Sequence, residues 1–96
     1  MPKSADEQAI REKLALRLIE VGQVASERML AKLTWRERQV VRLRTGLGYG
    51  FPYTLEAIGR IFNLPRASVR GVERRAMAKL AAMLEEEEKD HAVQID

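Results

Sequence analysis

A chain of 96 residues, 46% hydrophobic and 32% charged with a net charge of +3, suits one small globular domain with a modest core better than a disordered or membrane-embedded one. No apolar run approaches the roughly 18 residues of a spanning helix. With no cysteine there is no disulfide framework, thiolate nucleophile or Cys-based zinc site.

The opening MPKSADEQAIREK mixes acids among its bases and lacks the apolar stretch of a signal peptide, so a cytoplasmic location is expected. Ser4 and Glu7 fit an S-x-x-E capping box, and Ile10, Leu14, Leu18, Val21 and Ala25 form one stripe at helical spacing. The pattern predicts an N-terminal amphipathic helix within residues 1–33, running to about Lys32 with a bend at Gly22. Its stripe has two readings, a cover for the chain's own core or a docking face for a second protein chain through residues 4–32.

T-W-R-E at 34–37 spells another capping box, and the helix it opens should carry Val40, Val41 and Leu43 and end near Thr45. G-L-G-Y-G-F-P-Y then holds three glycines and a proline in eight residues, which reads as a loop. Thr54 is placed to cap a short helix, Leu55 to Phe62, with Leu55, Ile58 and Phe62 inward and Glu56 paired with Arg60. Asn63-Leu64-Pro65 breaks it. A longer helix is predicted from Arg66 to Leu84, with Val69, Val72, Ala76 and Leu80 on one face and Arg66, Arg70, Arg74 and Arg75 largely off it. Two amphipathic helices with a short break between them are the signature of a helix-turn-helix. The tail EEEEKDHAVQID, residues 85–96, has four consecutive glutamates and no apolar period, so fraying and mobility are expected, with an acidic arm screening the basic face as the alternative. The fold class is therefore all-α.

Charge follows the same divisions. Residues 34–84 carry ten Lys/Arg against three Asp/Glu, residues 1–33 six against five, and residues 85–96 one against six. A basic body at +7 attracts polyanions, of which nucleic acid is the commonest.

The segments L-T-W-R-E-R-Q-V-V-R-L-R-T-G-L from Leu33 and T-L-E-A-I-G-R-I-F-N-L-P-R-A-S-V-R-G-V-E-R-R-A-M-A-K-L from Thr54 resemble regions 4.1 and 4.2 of sigma-70 family transcription factors, without a gap. The resemblance implies a domain that docks on the β flap of RNA polymerase and places its last helix in the major groove of the promoter −35 element. Val41 and Leu43 are the candidate polymerase contacts, and Thr54, Arg66, Ser68, Arg70, Arg74, Arg75 and Lys79 the candidate DNA contacts. Among these, Arg66 and Arg70 match family arginines that reach bases, while Arg75 matches a basic position suited to backbone or protein contact.

The departures bear on specificity. Where the family has T/S-R-E-R-V-R-Q, this chain has Pro65-Arg66-Ala67-Ser68-Val69-Arg70-Gly71, which removes a capping hydroxyl, a glutamate and a glutamine and replaces an arginine with Ser68. A relaxed or different base preference is expected. Trp35 stands where the family has proline, as a packed staple or an interface anchor. Ninety-six residues leave no room for the regions that melt a −10 element, so the resemblance implies an accessory factor like the stand-alone region 4-like proteins of bacteriophages and phage-derived elements, with a partner chain supplying the missing parts.

Two other readings stay open, a dimeric helix-turn-helix regulator using residues 4–32 as a coiled-coil seam and a polymerase-binding adaptor without specific DNA reading. Catalysis is not expected, nor is a cofactor or metal. The only histidine, His91, lies in the tail, and Glu37, Glu56 and Glu73 read as a capping residue, a helix pair and a surface partner of Arg70.

Overall fold

The computed structural model describes the backbone of residues 2–47 and 50–95 and the side chains of residues 8–47 and 50–89, and its regular structure there is entirely helical. The expected first helix is divided. α1 (Pro2–Glu20) stops and α2 (Gln23–Leu30) starts across Gly22, whose φ of 93° is a backbone conformation that residues with a Cβ avoid. Glycine therefore breaks the helix where only a bend was expected. α1 also begins at Pro2, ahead of Ser4, and the side chains of Ser4 and Glu7 lie outside the described residues.

α3 (Trp35–Thr45) carries the expected capping box, with Glu37 N donating to Thr34 Oγ1 at 3.2 Å and Thr34 N donating to Glu37 Oε1 at 2.9 Å. It closes at Gly46 with φ 79°, where a Cβ would lie 2.8 Å from the carbonyl carbon of Phe51. The returning loop is fastened by Tyr53 N to Leu43 O at 2.8 Å and by Arg44 Nη1 to Tyr53 O at 3.1 Å. α4 (Leu55–Phe62) starts on Thr54, whose hydroxyl accepts from Ala57 N at 3.1 Å, and ends on Asn63 in the left-handed conformation.

α5 (Arg66–Ile95) continues well beyond Leu84, through the four glutamates. The expected fraying rested on like-charge repulsion, but Glu88 meets Arg17 of α1 and Glu87 meets Arg28 of α2, so part of that charge is neutralised across helices. Neither pair involves the arginines at the start of α5. His91 falls where side chains are not described.

Two apolar clusters lie along α5. Val69 and Val72 pack with Val40 and Leu43 of α3 and with Leu55 and Ile58 of α4. Farther along, Ala76, Leu80 and Leu84 pack with Leu14 and Leu18 of α1, Met29 and Leu30 of α2, Leu33, and Val41 of α3. The N-terminal stripe is thus turned into the chain's own core, which uses Leu14 and Leu18 within one molecule and leaves them unavailable as a coiled-coil seam. Ile10, expected in the same stripe, is 57% exposed and stands over a hollow lined also by Glu73, Arg74 and Met77. Val41 and Leu43, the candidate polymerase contacts, are 2% and 6% exposed. They support a surface from within, and a docking partner would meet the residues that cover them.

Candidate nucleic-acid interface

The helix-turn-helix is built by α4, the turn at 63–65 and α5. Its tightness depends on Gly59. Leu64 N donates to Gly59 O at 2.8 Å, and a Cβ on Gly59 would lie 2.6 Å from Leu64 O, a backbone atom that cannot swing away. Gly59→Ala is therefore expected to cost about 1–3 kcal/mol in urea unfolding by forcing the two helices apart. A glycine inside a short, strongly amphipathic helix was the available sequence signal for this close approach.

Pro65 opens α5 without a capping side chain, its carbonyl accepting from Val69 N at 3.2 Å and from Ser68 N at 3.0 Å. From there the helix turns Arg66, Ala67, Ser68, Arg74 and Arg75 to solvent and leaves Arg70 half-buried. Thr54 is exposed at the start of α4. Arg66 Nε lies 2.9 Å from Glu56 Oε1, so Glu56 bridges to α5 across the turn instead of pairing with Arg60 as expected. Both side chains of that bridge are more than half exposed, and such pairs contribute about 0–1 kcal/mol, so the arginine is easily released to a competing anion.

Lys79 stands apart from the other candidates, because its ammonium donates to Glu37 Oε1 at 2.9 Å and ties α5 to the cap of α3. The hydrogen bond from Lys79 and the one from the Thr34 backbone hold the Glu37 carboxyl below its ordinary value of 4.5, against the opposing effect of burial. A depressed carboxylate contributes stability that is present above about pH 4.5 and is lost as pH falls through the lowered folded-state value. Acid titration of thermal stability should show this loss, and Glu37→Gln should flatten the profile in that window.

Glu73 was expected on the surface beside Arg70. It is 4% exposed, accepts from Arg44 Nε at 2.6 Å and lies 3.8 Å from Arg11 Nη1, so it joins α1, α3 and α5 behind the arginine face. Nothing in the local spacing marks those partners, which are 29 and 62 residues away in the chain. Trp35 is neither deeply packed nor free. It is 58% exposed with its ring at right angles to that of Phe62, and Arg36 covers the same Phe62 ring. Among the described residues there is no group of three acids, histidines or cysteines able to hold a metal, and no helix long and apolar enough to cross a membrane.

The family profile for sigma-70, region 4 matches residues 29–82, more than half the chain. Over 54 residues the chain is 48% identical to the RNA polymerase sigma-C factor of Nostoc sp. and 50% identical to the RNA polymerase sigma factor SigA of the same organism. SigA of Synechocystis sp. is likewise 50% identical over 54 residues. In each case the match covers 56% of this chain and only 13–14% of the relative. No solved structure matches the chain significantly.

Proposed function

The chain belongs to the sigma-70 region 4 family, and from that membership we propose that it is a DNA-binding transcription protein that associates with RNA polymerase and lays the first turns of α5 in the major groove of upstream promoter DNA. The observation that carries this reading is the set of arginines on the first turns of α5, with Arg66, Arg74 and Arg75 exposed and Arg70 half-buried, together with an exposed helix start at Thr54. Arginine on a groove-bound helix donates two hydrogen bonds to guanine O6 and N7, and the backbone N–H groups of a helix start favour a phosphate. The relatives' names, RNA polymerase sigma factors, support polymerase as the partner.

In this proposal Arg66 and Arg70 lie nearest the bases, with Ser68 beside them, and Arg74 and Thr54 engage the backbone. Lys79 braces Glu37 and has donors left for a phosphate or a protein. The β flap is the proposed docking element, meeting the surface that Val41 and Leu43 support from within. A second protein chain is a further proposed partner. Such a chain, if it binds residues 4–32, would have Leu16 and Ile19 available, since Leu14 and Leu18 are buried.

Because Ala67 and Gly71 offer no side-chain hydrogen bond to a base, the isolated protein should bind DNA weakly, with steep salt dependence, and gain selectivity when polymerase holds it in register. Footprinting of the complex with core polymerase tests the reading. Arg70→Ala should cost about 1–3 kcal/mol at a guanine-bearing site. Retained binding to polymerase with no upstream protection in the wild type would instead make the protein an adaptor, and loss of flap dependence would reject the docking mode.

A further inference from the structure

We propose that Arg75 reads a base pair from the place that Gly71 leaves vacant, so that it acts as a specificity residue where its sequence position suggested a backbone or protein contact. The inference rests on the reading above, that α5 enters the major groove, and adds the residue and the base chemistry.

Side chains on a helix lean toward its N-terminus, so each covers the surface about one turn before its own Cα. Arg75 follows this rule, with Nη1 3.5 Å from the position a Cβ on residue 71 would occupy. Val69, Val72, Ala76 and Leu80 define the inward face of α5. At 100° per residue, the line opposite them passes through Ala67 and Gly71. Ala67 is exposed there, whereas Gly71, with no side chain of its own, is only half exposed beneath Arg75.

The outermost ridge of the helix therefore has nothing longer than a methyl group at residues 67 and 71, and the guanidinium of Arg75 lies in the gap. A helix with such a ridge can sit close to the groove floor. The planar fork carried over Gly71 then faces base edges, and its paired donors match O6 and N7 of guanine. A longer side chain at 71 would fill that gap and push Arg75 outward toward the phosphates.

The test uses the full chain with core polymerase on promoter duplexes carrying each base pair in turn across the upstream contact. Wild-type protein should prefer guanine by about tenfold or more at one position that Arg75→Ala makes indifferent, other positions being unchanged. Replacing that guanine with 7-deazaguanine, which lacks N7, should reproduce the loss on wild-type protein. Gly71→Gln should also erase this preference although Arg75 is retained, an effect that a phosphate contact would not show. Uniform weakening of all duplexes by Arg75→Ala, with a base-selective effect of Arg70→Ala preserved, overturns the inference and leaves the parent reading standing. Absence of any upstream protection by the wild-type complex overturns both.

Discussion

Glu73→Ala is expected to lower the stability of the domain by about 3–5 kcal/mol, because it removes a carboxylate shared by two guanidinium groups that are mostly shielded from water. The side chains of Arg44 and Arg11 are each only 15% exposed, against 5% for Glu73. Without the acid, Arg44 and Arg11 lose a shared carboxylate in poorly solvated surroundings, although Arg44 keeps its bond to Tyr53 O. Urea unfolding of Glu73→Ala measures the loss. Glu73→Gln should lose less, since an amide oxygen still accepts from Arg44 Nε. Glu73→Leu combined with Arg44→Leu should recover part of the deficit, because one guanidinium fewer is left without the acid. A change within about 0.5 kcal/mol for Glu73→Ala would place it among ordinary surface substitutions and deny the buried network any structural weight.

Leu18→Ala should cost about 2–5 kcal/mol, the range for emptying a buried leucine site. Leu18 is 1% exposed and lies among Met29, Leu30, Val41, Leu80 and Leu84, contributed by three other helices. The cavity would open at the junction of α1 with the rest of the fold, where few backbone contacts exist to close it. Ile10→Ala, on the same helix and in the same sequence stripe, should stay within about 0.5 kcal/mol because its side chain is already more than half exposed. Thermal unfolding of the two variants separates a helix that belongs to the core from one that merely rests on it. Equal small effects would mean that α1 contributes little to folding and is held for another purpose.

What could be read from the chain without coordinates was the short-range chemistry. Thr34 and Thr54 announce helix starts through bonds spanning three residues, and both form as expected. The inward faces of α4 and α5 follow from a period repeated over several turns, and Val69, Val72, Ala76 and Leu80 are all buried. The errors arose wherever a distant partner decides the outcome. Four glutamates in a row look repulsive until Arg17 and Arg28 arrive from helices far earlier in the chain. Glu73 looks like a neighbour for Arg70 by helix spacing, yet burial beside Arg44 gives it a stronger one.

The candidate site divides in the same way. The arginines of α5 were legible because an amphipathic helix must present its charged residues outward, and Arg66, Arg74 and Arg75 are exposed. The apolar content of α3 points to Val41 and Leu43, but apolar content cannot distinguish a residue that faces a partner from one that faces the core. Here adjacent valines, Val40 and Val41, enter different clusters, so α3 is buried on two sides and its exposed large apolar side chain is Trp35, at its start.

The continuity of α5 has a consequence for how the molecule meets another charged body. A 30-residue helix is about 45 Å long, and this one has its arginines gathered in the first turns and four glutamates in the third quarter. The charge of the chain is thus uneven along one continuous helix, even after Arg17 and Arg28 offset part of the glutamate end. In the field of a polyanion the chain experiences a torque as well as an attraction, which swings the arginine end forward and the glutamate end back before contact is made. Fewer encounters are then wasted on wrong orientations, an advantage that fades as added salt shortens the reach of the field.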